Sequence, residues 1–249
     1  MQHSGSVFEL IRRRPVLSAL YWIKQAWQLF TMAPWLWIQL LSFMLLLNLL
    51  GSMNPVLFIV TLFLNPFITA GLYSAIVAVQ RGKTASFSWL FRPLQQAQFR
   101  PLFLQLAALN LLLAIPLSLL GEHVMQQLAA EQLVFSQVLL FVFCTAMIWM
   151  MFSYAVAILY FLPDKRLLPA LMASLVACWR NLIPLLLFGA IGLALCLATV
   201  PTMLLGMFLV LPLLSIAFFI SFQDIFNVDP GSADPTDQNG NQDSGVLEV

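Results

Sequence analysis

Glu122 and His123 adjoin in the stretch GEHVMQQLAAEQ, the one place in the 249-residue chain where a carboxylate sits beside an imidazole. Together they could pass a proton or hold one face of a metal ion. A metal site needs three or four ligands, however, and an acid–base site needs a reacting group within hydrogen-bond reach. The second histidine, His3, lies near the start of the chain. Cys144, Cys178 and Cys196 are widely spaced in apolar sequence without a CxxC, which reads as buried thiols rather than a disulfide or a ligand set. Ser4, Ser6 and the other serines have no His/Asp pattern that would activate a nucleophile. Gly189 and Gly192 lie in an apolar run, not in a phosphate-cradling loop. The sequence therefore reads as non-enzymatic, with no catalytic residue, no cofactor and no metal.

Two other groups of residues could do chemistry by binding. Arg81, Lys83, Arg92, Arg100 and Arg180, interleaved with Trp27, Trp89 and Trp179, fall in the polar stretches between apolar runs. Guanidinium, ammonium and indole in that mixture suit anionic lipid headgroups or a protein partner. Setting membrane topology needs the same residues and is their more ordinary role. Asn65, Pro66, Gly71, Tyr73, Asn110 and Tyr154 lie inside apolar runs, as a candidate hinge or cavity. Hydrogen bonds between helices, worth about 1 kcal/mol each, are the simpler account of such polar groups. No Asp, Glu, Lys or Arg falls in the middle of an apolar run, which argues against a proton- or sodium-driven transporter and against an intramembrane protease.

The elements that must position these residues follow from composition. Hydrophobic residues make up 61% of the chain and charged residues 8%, against roughly 45–50% and 25% in soluble domains. Too little polar surface is left to face water, so the bilayer is the solvent, and long continuous apolar runs select helices over barrel strands. The fold class is all-α and polytopic, with six spans near 34–50, 56–79, 102–120, 133–162, 182–200 and 203–222. The fourth is long for one crossing and must tilt or project. Pro66, Pro116 and Pro212 fall inside spans, and Pro66 is expected to kink the second. Numbering sides alternately puts every Lys and Arg on one side, while the stretches 51–55, 121–132 and the turn near 201 carry none. Such a bias places both termini in the cytoplasm. A net charge of +1 gives no electrostatic case for nucleic acid.

Residues 1–14 form a basic N-terminal segment in which Glu9 precedes Arg12, Arg13 and Arg14. That is not the pattern of a cleaved leader, so the first span is expected to target the membrane. The membrane domain is expected over 15–228, with amphipathic interfacial helices near 15–33, 86–99 and 169–181. In the first, Ala19, Ile23, Ala26, Trp27 and Phe30 share one face. Residues 229–249, rich in Asp, Gly, Asn, Pro and Ser, read as a disordered acidic tail.

A unit recurs three times: a surface helix ending in an aromatic residue, a proline that opens a span, a turn and a returning span. The prolines are Pro34, Pro101 and Pro184, a residue tolerated in the first helical turn because its missing N–H has no partner there. Three hairpins with cytoplasmic interfacial helices follow. Three boxes carry a family resemblance: Pro66 with Ala70-Gly71-Leu72, Arg81-Gly82-Lys83 and Leu90-Phe91; Ser174 with Cys178-Trp179-Arg180-Asn181 and Pro184; and Pro212 with Phe222-Gln223-Asp224-Ile225-Phe226. Over roughly 22–226 the chain resembles an uncharacterised family of multi-pass inner-membrane proteins of proteobacteria. More loosely, it is similar to the membrane domain of some bacterial glycerophosphodiesterases. The resemblance implies an inner-membrane location and no activity; no soluble phosphodiesterase domain accompanies it here. Membrane lipids, and a protein partner or a second copy, are the partners expected. The leading expectation is a module that binds lipid or a partner through its basic, Trp-rich face. The alternative is a small permease or flippase subunit with a cavity between hairpins near Pro66, Asn110 and Tyr154.

Overall fold

A computed structural model describes residues 7–130, 134–203 and 205–229. These are helical throughout, without a strand among them. The helices are α1 (Ser18–Met32), α2 (Pro34–Met53), α3 (Pro55–Gln80), α4 (Arg92–Gln95), α5 (Arg100–Ala129), α6 (Phe135–Ser153), α7 (Ala155–Phe161), α8 (Leu167–Arg180), α9 (Leu182–Ala198) and α10 (Met207–Phe226). Six are long and apolar enough to cross a membrane, counting α6 and α7 as one, so the chain is an all-α, multi-pass membrane protein.

Local sequence sets several helix starts. Pro34, Pro55, Pro93 and Pro101 each lie in a first turn. Asn54 separates α2 from α3 and accepts the Val56 N–H at 2.8 Å, a side-chain cap that makes the hairpin turn a single residue. Pro66 is accommodated inside an unbroken α3.

Three expectations change. The segment 86–99 is not one surface helix: a 3-10 turn over Phe87–Phe91 leads into the one-turn α4, which Pro93 starts rather than breaks. The polar stretch from Gly121 is not a loop, because α5 carries its helix on to Ala129. The fourth span is interrupted at Tyr154, between α6 and α7. Residues 1–6 and 230–249, including nearly all of the expected tail, lie outside the described residues.

The hairpins are α2–α3, α5 with α6 and α7, and α9–α10. Each lead-in segment packs on the returning span of the hairpin before it: the 3-10 turn and α4 on α3, and α8 on α6 and α7. In turn α1 packs along α10, which closes the arrangement into a cycle. The returning spans meet at the centre. There the Tyr73 and Phe219 rings stack at 4.5 Å, Phe161 lies 5.3 Å from Phe219, and Tyr154 stacks on Phe218 at 4.9 Å. Because α10 touches α1, α2, α3 and α9, it is the most buried of the six spans.

Burial divides the molecule along the helix axes. Phe67 meets Phe103 edge-on at 5.2 Å, so α5 begins beside the middle of α3. From Phe67 to Gln80, α3 continues for roughly 20 Å at about 1.5 Å per residue, and most of that stretch is buried. With α1, α7, α8 and the last half of α10 it forms a packed zone at the end where the basic residues gather. Away from that zone the spans show Leu45, Leu49, Val56, Leu112, Leu119, Phe143, Leu186 and Leu193 to their surroundings. That surface matches hydrocarbon, where apolar exposure carries no penalty.

Candidate functional site

At the basic end, Lys83, Arg100 and Arg180 are exposed and Arg81 is half-buried at the end of α3. Lys83 follows Gly82, whose φ of 69° lets the chain leave α3 in a left-handed turn. The Arg92 guanidinium lies 3.5 Å from the centre of the Trp89 ring, a cation–π contact that fixes both side chains. Arg100 donates from Nε to the Leu94 carbonyl at 2.8 Å. Trp179 is 67% exposed, and Trp27 is also exposed while stacking on Phe30. The indoles thus stand on the outside of this end, among the cations. On α1 the buried face is Ala19, Trp22, Ala26, Leu29 and Phe30; Trp27 points away from it, unlike the face expected from the pattern.

Beneath this rim lies a clasp that residue types alone do not reveal. Asp224, near the end of α10, receives Arg14 at 2.9 Å on one carboxylate oxygen and the Trp22 indole N–H at 2.9 Å on the other. Arg14 also donates to the Asp224 carbonyl. Asn181, fully buried, accepts the Arg14 backbone N–H at 2.8 Å and donates to the Arg12 carbonyl at 3.1 Å and the Ala177 carbonyl at 3.0 Å. The Arg12 N–H reaches the Ile225 carbonyl at 2.8 Å. The segment 12–14 is thereby held between the ends of α8 and α10. Nearby, the Gln80 and Gln223 amides pair reciprocally at 2.8 and 2.9 Å, joining the ends of α3 and α10.

The break at Tyr154 has a specific cause. In a continuous helix the Tyr154 N–H would bond the Met150 carbonyl. Here the Ser174 hydroxyl of α8 sits between them, accepting from Tyr154 N–H at 3.0 Å and donating to Met150 O at 2.7 Å. A side chain inserted into the helical ladder is a standard origin of a bend. The Tyr154 hydroxyl then bonds Ser221 at 2.8 Å. Burial pushes the Cys178 thiol, one turn along α8, up to about 12, which keeps it neutral.

The candidate hinge residues do not converge on one site. Asn65 is exposed, beside a small recess between α2 and α3. Pro66, Gly71, Tyr73 and Tyr154 are buried in packed structure. A Cβ on Gly71 would collide with the Leu90 backbone, so this glycine is where the 3-10 turn crosses α3. Asn110 lines a lateral cleft of about 490 Å³ with Trp149, Phe152, Ser153 and Phe218. A second groove of about 490 Å³ runs between α3 and α5 beneath Arg100.

His123 is on the exposed outer part of α5, and the Gln127 amide donates to its ring Nε2 at 3.0 Å. Among the described residues no three His, Cys, Asp or Glu side chains gather as metal ligands. Asp164 is bound by Arg166 at 2.8 Å, and that hydrogen bond holds its carboxyl below its ordinary value. Burial lowers the neighbouring Lys165 ammonium, which lies 4.5 Å from the Phe99 ring centre. Comparison of the chain with protein-family models, curated proteins and solved structures returned no match.

Proposed function

We propose that this chain is a non-enzymatic inner-membrane module with both chain ends on the cytoplasmic side, which engages anionic lipid headgroups through its basic, Trp-bearing face. One observation carries the reading. Arg14 and Arg166 are matched by carboxylates, whereas Arg12, Arg13, Lys24, Lys83, Arg92, Arg100 and Arg180 face none among the described residues. An excess of cation on the side where α2, α5 and α9 begin, with Trp27 and Trp179 projecting there, suits a phosphate-rich surface. The same partition of Lys and Arg supports the orientation. The resemblance to inner-membrane proteins of proteobacteria is consistent with the location and adds no activity.

The test is native mass spectrometry of the protein in mild detergent. Co-purified anionic lipid is expected, and it should fall when Arg81, Lys83 and Arg180 are changed together to glutamine. Unchanged lipid content would remove the reading. A reporter that is active only in the cytoplasm, fused to the C-terminus, checks orientation.

A second reading, a permease or flippase subunit, has the Asn110 cleft in its favour. An amide there sits among apolar side chains in a span, beside Ser153. The centre of the bundle is filled by Tyr73, Tyr154, Phe219 and Phe222, so a path along this cleft has to run at the lipid-facing side of the core. Cysteine at position 110 should react with a membrane-impermeant thiol reagent if the cleft admits water; a wholly unreactive cysteine would remove this reading.

A further inference from the structure

The groove between α3 and α5 is walled by Ile59, Phe63, Phe67 and Leu104, and Leu94 and Arg100 close one end. Its wall is almost wholly apolar apart from that arginine. Two features give it a direction. Ile59 lies about 12 Å before Phe67 along α3 at roughly 1.5 Å per residue, so the groove runs away from the packed zone into the lipid-facing part of the spans. Arg100 stands at the opposite end, beside the start of α5. Its Nε is committed to the Leu94 carbonyl, which leaves the two terminal nitrogens for another acceptor. Arg92, fixed on Trp89, opens the one-turn helix that ends just past Leu94, and so adds a second cation on the same side.

We infer that this groove is a binding site for one anionic phospholipid, with an acyl chain along Phe67, Phe63 and Ile59 and the phosphate on Arg100. The two ends of the groove have the polarity of the two ends of such a lipid, in the order a bilayer leaflet presents them. A guanidinium fork pairs a phosphate through two parallel N–H donors, and the fixed Nε–Leu94 bond holds that fork in place before the lipid arrives. A zwitterionic lipid fills the same groove, but its headgroup carries no net charge for Arg92 and Arg100 to balance. This inference rests on the reading of the basic end as lipid-engaging and gives one lipid a defined seat within it.

The experiment uses the full chain in mild detergent, offered phosphatidylglycerol or phosphatidylcholine in equal amounts, with retained lipid counted by native mass spectrometry. One phosphatidylglycerol per chain is expected to survive gas-phase activation that strips the others. Arg100→Gln should lower its occupancy about tenfold and abolish preference over phosphatidylcholine, while Arg100→Lys should keep most of the preference. Leu104→Trp fills the groove without altering charge and should reduce retention of both lipids. Unchanged melting temperature and elution volume confirm that each variant is folded. Should Arg100→Gln misfold, Arg100→Lys and Leu104→Trp still decide the matter. The triple change at Arg81, Lys83 and Arg180 separates the two readings. If it strips the last lipid while the Arg100 and Leu104 variants retain it, the groove is not the seat and the wider basic face stands. If the Arg100 and Leu104 variants lose the lipid and the triple variant keeps it, the groove stands and the wider face does not. Retention by every variant, or no preference for phosphatidylglycerol in the unaltered protein, overturns both.

Discussion

Replacing Asp224 by alanine withdraws the acceptor that two distant parts of the chain share. The Trp22 indole N–H, on a fully buried side chain, loses its acceptor at 2.9 Å among the described residues. A buried donor left unsatisfied costs about 1–3 kcal/mol. Arg14 loses its carboxylate but keeps the Asp224 carbonyl, which alanine retains. Breaking a fully buried pair costs about 3–5 kcal/mol, but these side chains keep 25% and 20% of their exposure, so solvent screens the pair. We therefore take about 1 kcal/mol for that part. The expected loss for Asp224→Ala is about 2–4 kcal/mol. Trp22→Phe removes donor and demand together and should lose less, about 1 kcal/mol. The informative number is the coupling: Asp224→Ala should be about 1–3 kcal/mol milder in the Trp22→Phe background. The assay is equilibrium unfolding in micelles followed by far-ultraviolet circular dichroism. If the two changes add to within about 0.5 kcal/mol, the residues do not act as one unit, and the clasp as described is wrong.

Gly71→Ala should destabilise at or beyond the upper end of the usual overpacking range of about 1–3 kcal/mol, because its Cβ meets the Leu90 backbone rather than a movable side chain. Gly189→Ala, where a Cβ meets nothing within 4 Å, should be neutral or stabilise by up to about 1 kcal/mol; melting temperatures of the two variants give the contrast. Ser174→Ala removes the bridge between the Tyr154 N–H and the Met150 carbonyl; it should lose about 1–3 kcal/mol where the break persists and less where the two groups rejoin, with altered amide exchange confined to the α6–α7 junction. No local change in exchange would refute the bridging role. Cys178 should resist maleimide at pH 7–8, since its thiol is raised to about 12. Its folded value lies above the ordinary thiol value of about 8.5. Its contribution to stability is therefore constant below that pH and is lost as pH rises toward the folded value; Cys178→Ala should remove that part of the alkaline decline in a melting series.

Signals that act within one turn of helix were legible in the sequence. Pro34 and Pro101 open spans because the first turn does not need their N–H, and the structure starts α2 and α5 there. The apolar runs gave six spans, since hydrocarbon demands length and composition and little else. Two features of the helices are not set by such signals. The outer part of α5 is polar yet rich in good helix formers such as Gln126, Gln127, Leu128 and Ala129, so polarity there does not mark a loop. Trp27 and Trp22 are equally apolar, so the pattern does not separate the faces of α1, and only packing against α10 chooses Trp22.

What no periodicity could supply is the chemistry between elements. Arg14 and Asp224 are 210 positions apart, and each reads alone as a topology charge or a helix-end carboxylate. The middle hairpin shows the same limit more sharply. Its returning span has no proline where the others have Pro66 and Pro212, so sequence offered no reason for a break, yet this is the span that breaks. The reason is on another helix: Ser174 supplies the donor and acceptor that let the Met150–Tyr154 bond open without leaving either group bare. Proline makes an interruption from within and is visible in place; a serine makes one from outside and is visible only once α8 is docked. Straightening of the span in Ser174→Ala would therefore show that the bend belongs to the contact between α8 and α6, and not to the span itself.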